Sequence, residues 1–234
     1  MLFADRKRPL LLGHRGVREG VRENTLAAFQ RAIEAGLDGV EFDVQRSRDG
    51  VLVVYHDFWI DRGFIHRLTY PELKEALPDL PTLEEVLALF EAYPRAILNV
   101  ELKSIPGLRD GRTAELAGVL SGWAGKDRVL VSSFDPVALF ELRARAPELP
   151  LGFLFHGFDA GAMALRLGFE AVHPRLELVV PERVAAWHRE DRFVCAWPAA
   201  TAAEARRAIA AGADAVIGGW PEALLKAQQE LGDV

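Results

Sequence analysis

Short apolar runs and amphipathic helical stretches alternate along the whole of this 234-residue chain. Runs that read as strands lie near residues 9–13, 38–44, 51–55, 96–102, 128–133, 151–155, 169–173, 193–197 and 214–218. Helical periodicity covers 24–36, 82–92, 112–123, 136–145, 159–167, 181–189, 202–211 and 221–231. Nine strands against eight helices leaves one strand over. Only six residues, Asp49-Gly50 among them, separate Val44 from Val51, too few for a parallel crossover. Asp-Gly between apolar runs signals a hairpin, so 51–55 is expected to fold back antiparallel on 38–44. Eight βα units remain, and they predict an α/β chain closed as a single (β/α)8 TIM barrel over residues 1–234.

Composition narrows the partners. Half the residues are hydrophobic, enough for a sizeable core, and the net charge of −6 leaves no electrostatic footprint for nucleic acid or an anionic membrane. No apolar stretch approaches the roughly 20 residues of a membrane span. The segment Met1–Leu12, with Asp5, Arg6, Lys7 and Arg8, has too short an apolar run for a signal peptide. A lone cysteine, Cys195, excludes an internal disulfide and a cysteine-built zinc site, and reads as a small core residue. A cytoplasmic location is the expectation.

The polar residues gather where barrel strands end. His14-Arg15-Gly16 closes the first apolar run, and a helix pattern starts after Asn24, which reads as its cap. In Glu41-Phe42-Asp43 the two acids alternate with an aromatic, so both carboxylates share one strand face. Glu101-Leu102-Lys103 repeats the alternation on the next parallel strand. Three carboxylates at one barrel mouth repel each other, and a hard divalent cation, Mg2+ or Ca2+, relieves that repulsion. A two-residue turn at Asp49-Gly50 sets His56 opposite Asp43, and a four-residue loop sets it opposite Glu41. Either register puts His56 on the face of the carboxylates; a three-residue loop would put it on the other.

The ordered set His14-Arg15-Gly16, Glu23-Asn24-Thr25, Glu41-x-Asp43, His56-Asp57, Pro81-Thr82-Leu83-Glu84-Glu85 and Glu101-x-Lys103 closely resembles the glycerophosphodiester phosphodiesterases. The resemblance implies metal-dependent hydrolysis of a small glycerophosphodiester to sn-glycerol 3-phosphate and an alcohol. In that family's pattern Glu41, Asp43 and Glu101 would hold one divalent cation, and His14 and His56 would be the general acid and base. Arg15 and Lys103 would neutralise the phosphoryl oxygens. Asp57 would orient an imidazole, while Glu23 and Asn24 would tie the first loop into the site. A related barrel phosphodiesterase acting on a lysophospholipid, or a silent binder of a phosphorylated ligand, are the alternative readings.

The match loosens toward the C-terminus. Trp197 is followed by Pro198-Ala199-Ala200 where the family usually has Thr-Val-Asn, and Gly218-Gly219-Trp220-Pro221 replaces a Thr-Asp before proline. These departures bear on substrate preference more than on the reaction. Phe58, His173, Trp197 and Trp220 are candidates for the pocket wall, with Trp59 and Phe64 in an aromatic-rich segment over the rim. His66, His156 and His188 read as surface or structural residues. Oligomeric state is not encoded visibly.

Overall fold

The computed structural model describes residues 8–232; most of the charged run Asp5–Arg8 lies outside them. Eight strands close a parallel ring: β1 (Leu10–His14), β2 (Gly39–Arg46), β6 (Ile97–Leu102), β7 (Val129–Ser133), β8 (Leu151–Phe155), β9 (Ala171–Pro174), β10 (Phe193–Ala199) and β11 (Ala215–Gly218). β1 pairs with both β11 and β2, which seals the circle. An extra strand, β3 (Leu52–Val54), is bonded outside the ring, and a two-stranded ribbon, β4 (Trp59–Ile60) and β5 (Gly63–Phe64), follows it. The helices between ring strands are α1 (Leu26–Glu34), α3 (Leu83–Leu89), α4 (Arg112–Gly122), α5 (Pro136–Arg145), α6 (Phe158–Leu167), α7 (Pro181–Arg189), α8 (Ala202–Ala210) and α9 (Pro221–Gly232). Among the described residues no helix is long and apolar enough to cross a membrane.

One helix escaped the periodicity reading. α2 (Tyr70–Ala76) packs Leu73 with Val53, Ile65 and Leu80 in a small cluster under the rim. Its start signal is nevertheless in the sequence. Thr69 and Glu72 form a capping box, with Pro71 in the first turn. Seven residues are too few to show a helical period, so the apolar pattern alone missed it. A second capping box, Thr82 with Glu85, starts α3.

The alternation of strand residues separates two cores. Outward residues of the ring meet the helix layer, where Phe42 of β2 packs against Phe29 of α1 with ring centroids 5.4 Å apart. Inward residues fill the barrel: Leu10, Leu12, Ile97, Leu130, Ala171, Phe193, Cys195, Ala215 and Ile217. Cys195 is fully buried there, as its place in the strand implied. His173 occupies an inward position one layer above Ala171, with Gly152 beside it leaving room for the ring. It is 0% exposed, so it does not line the open mouth. Neither ring nitrogen has a hydrogen-bond partner among the described residues.

The connection between β2 and β3 corrects the expected register. Val44, Gln45 and Arg46 pair with Val54, Val53 and Leu52, and the Ser47 N–H donates to the Val51 carbonyl at 2.9 Å. The loop is therefore the three residues Arg48-Asp49-Gly50, the case that turns His56 away from the carboxylate face. Gly50 adopts φ +97°, the left-handed position that ends a three-residue hairpin turn. The Ser47 hydroxyl donates to Asp49 Oδ1 and accepts from the Val51 N–H, which favours this loop over shorter ones.

Two outcomes test this frame. Gly50→Ala should cost about 1 kcal/mol of stability in a denaturant titration, because alanine resists the left-handed conformation. Burial also pushes His173 down to about 3. The unfolded chain binds that proton near 6.5, so the contribution of neutral His173 is complete above pH 6.5 and is lost as pH falls toward 3. Between pH 7 and pH 5 the loss should be about 2 kcal/mol, and His173→Leu should remove that part of the slope in urea unfolding.

Candidate active site

The C-terminal ends of β1, β2 and β6 lie side by side, and their registers bring the polar residues level. His14 is the lateral partner of Glu41, and Asp43 is the partner of Glu101. Oxygens of Glu41, Asp43 and Glu101 all lie within 4.8 Å of one another. Glu41 and Asp43 are buried, at 3% and 1% exposure. Three carboxylates at this spacing, two buried and Glu101 partly exposed, cannot all ionise without compensation. Burial, then Asp43 and Glu101, push Glu41 well above the usual carboxylate range. Burial, then Asp43, push Glu101 up to about 7. Burial also acts on Asp43, but Lys103 and Arg15 outweigh it and hold that carboxyl below its ordinary value.

The compensating charges come from fixed directions. Lys103 Nζ lies 3.0 Å from Glu101 Oε1 and 3.4 Å from Asp43 Oδ1, with the Phe58 ring 5.5 Å from the ammonium. Arg15 reaches Asp43 Oδ2 at 3.3 Å through Nε and Glu23 Oε1 at 2.5 Å through Nη1, while its backbone N–H donates to Glu41 Oε2 at 3.0 Å. That backbone donation needs an unusual conformation: Arg15 and Asn24 both have left-handed φ, at +55° and +56°. The Asn24 N–H closes the loop on the Arg15 carbonyl at 2.9 Å. Gly16 follows in the same region, φ +83°, so close to α1 that a β-carbon would lie 2.6 Å from the Ala28 backbone. The third residue of His14-Arg15-Gly16 is thus set by packing.

Asn24 is not the helix cap. Thr25 takes that position and accepts from the Ala28 N–H. Asn24 is instead buried at 2%, donating from Nδ2 to Asp43 Oδ2 at 2.8 Å. The sequence shows Asn24-Thr25 as two adjacent capping types, and a carboxylate 19 residues away decides between them.

His14 faces the carboxylates, with Nε2 3.9 Å from Glu41 Oε2. Burial, reinforced by Arg15, pushes its imidazole down to about 3, so the ring is neutral and this approach is not an ion pair. His56 arrives differently from the expected strand pairing. β3 ends at Val54, and His56 follows in a bend instead of on the ladder. Gln45, buried on β2, fixes that bend by donating to the Tyr55 carbonyl at 2.8 Å and the Asp57 carbonyl at 2.7 Å. Gln45 escaped the sequence reading although Glu41-x-Asp43-x-Gln45 extends the same alternation. The bend leaves His56 near enough to influence His14 and Asp43 electrostatically. Its Nδ1 contacts Asp57 Oδ1 at 2.8 Å.

The remaining candidates separate. Trp197 is half-buried, donates its indole N–H to the His173 carbonyl, and meets Phe134 edge to face at 5.4 Å. Trp220, Trp59 and Phe64 are exposed on the rim. His188 pairs with Asp214 at 2.8 Å, far from a catalytic role. His66 packs against Phe64, and His156 against Phe134.

Buried, acidic, oxygen-only donors with charge-matched neighbours suit a hard divalent cation. Imidazoles beside such a site, with Arg15 and Lys103 at hand, suit displacement at phosphorus. Comparison with known proteins agrees. Residues 14–223 match the Glycerophosphoryl diester phosphodiesterase family. The chain is 34% identical to a glycerophosphodiester phosphodiesterase of Caldanaerobacter subterraneus subsp. tengcongensis, over 92% of this chain and 96% of that protein. Its fold superposes on an Oleispira antarctica phosphodiesterase in complex with the product sn-glycerol-3-phosphate, with TM-score 0.84 and 27% identity, covering 94% of this chain and 96% of the other. A glycerophosphodiester phosphodiesterase from Parabacteroides distasonis gives TM-score 0.83 at 27% identity, covering 96% and 98%. The chain belongs to the glycerophosphoryl diester phosphodiesterase family.

Proposed function

We propose that this protein is a single-domain enzyme that hydrolyses glycerophosphodiesters to sn-glycerol 3-phosphate and an alcohol, with His14 and His56 moving the protons. The observation that carries this reading is the meeting of Glu41, Asp43 and Glu101 within 4.8 Å beside His14, Arg15 and Lys103. These carboxylates would hold Mg2+ or Ca2+, which when bound supplies positive charge to the phosphoryl oxygens. Arg15 and Lys103 share that task from the protein side. With Asp57 accepting from Nδ1–H of His56, its Nε2 is left free to take a proton. His14 and His56 divide the work: one removes a proton from the attacking hydroxyl, the other delivers one to the departing alcohol. The buried, unpaired Cys195 supports a reading as a cytoplasmic enzyme of glycerophospholipid breakdown.

The exposed rim aromatics Trp59, Phe64 and Trp220 favour a second reading in which the alcohol side carries an acyl chain, as in a lysophospholipid. Release of glycerol 3-phosphate from glycerophosphocholine, compared with turnover of a lysophospholipid, separates the two.

His14→Ala and His56→Ala should each lower kcat by about 10²–10⁴ while the fold persists by circular dichroism. Normal turnover by folded His14→Ala would contradict the assignment. Chelation with EDTA should abolish activity and lower the melting temperature, and Mg2+ or Ca2+ should restore both. Glu101→Gln should lose most of the metal-induced thermal shift, a result that does not depend on activity. Gln45→Leu should release the His56 bend and lower kcat about tenfold with little change in KM.

A further inference from the structure

The loop from Arg15 to Asn24 also carries Arg18, a guanidinium that the reaction does not use. Arg18 lies across the end of β11: its backbone N–H donates to the Gly219 carbonyl at 3.3 Å. A β-carbon at position 219 would lie 3.1 Å from Arg18 Cδ and 3.3 Å from Nε, so the missing side chain is the space that Arg18 fills. Arg18 Nε reaches Glu23 Oε2 at 3.2 Å, and Glu23 is shared with Arg15. The Arg18 side chain is 44% exposed, and its two terminal nitrogens have no hydrogen-bond partner among the described residues.

We propose that Arg18, seated on Gly219 and oriented by Glu23, is an anion subsite at the mouth that selects glycerophosphodiesters whose alcohol bears a second acidic group, such as a carboxylate. The inference rests on the phosphodiesterase reading and adds a preference to it. A planar guanidinium engaged only at Nε keeps its terminal Nη1–Nη2 edge, which matches a carboxylate in two-point geometry. Arg15, held by Glu23 and Asp43 beside the carboxylate cluster, is assigned to the phosphoryl oxygens instead. An aspartate at position 219 would set its carboxylate against the guanidinium and cancel the subsite. Glycine there keeps the charge available.

Glycerophosphoserine and glycerophosphoethanolamine differ by one carboxylate and form the test pair. The ratio of their kcat/KM values, serine ester over ethanolamine ester, is measured with Mg2+ for the wild type, Arg18→Gln, Arg18→Lys and Gly219→Asp. The ratio should fall about five- to tenfold in Arg18→Gln and Gly219→Asp, through KM of the serine ester, and be partly kept in Arg18→Lys. An unmoved ratio in folded Arg18→Gln, or an equal loss on both esters, overturns the subsite. A folded, metal-loaded wild type that turns over neither ester overturns the phosphodiesterase reading itself, which is a different result.

Discussion

Everything at the mouth of this barrel is arranged around the convergence of Glu41, Asp43 and Glu101 at one point. Like charges so close in a poorly solvated place are costly, and isolated desolvated carboxylates resist ionisation. The structure answers with cations from two strand ends, Arg15 after β1 and Lys103 after β6, and with the Asn24 amide. Asp43, touched by all three, is the carboxyl held below its usual range. Glu41 and Glu101 stay raised, and this residual imbalance is what a bound divalent cation would satisfy. The left-handed backbone at Arg15 and Asn24 follows from the same demand, since it aims an N–H and an amide at carboxylates.

The added strand serves the site indirectly. Ring strands deliver side chains upward at fixed spacing, but β3 runs antiparallel and stops short of His56. Ladder geometry alone would have sent the residue to the outer face. The chain instead leaves the sheet after Tyr55, and Gln45 holds the carbonyls on both sides of His56. A two-bond clamp from a buried amide thus does what strand register could not. The first loop is held by a comparable device, with Glu23 tying Arg15 and Arg18 together over the end of β11.

Much of this architecture is legible in the amino-acid order alone. The nine apolar runs, the hairpin at Asp49-Gly50 and the eight-unit count depend on local periods and chain length, which a sequence displays directly. The carboxylate alternations are legible for the same reason. Short α2 is not, because seven residues hide their period. Asn24 reads as a cap because its partner Asp43 is on another strand, out of sight of any local pattern. The position of His173 near a strand end points to the mouth, whereas the ring is enclosed in the barrel beside Gly152.

The sequence by itself determined the barrel, the hairpin and the identity of the groups at the strand tips, because alternation and spacing are properties of the chain alone. Tertiary structure decided which neighbours those groups have: Asn24 on Asp43, Gln45 on the His56 bend, Arg18 on Gly219. Those contacts join residues far apart in the chain, through hydrogen bonds and close approaches of a few ångströms. A one-residue change of loop length redirects them, and no local pattern records that choice.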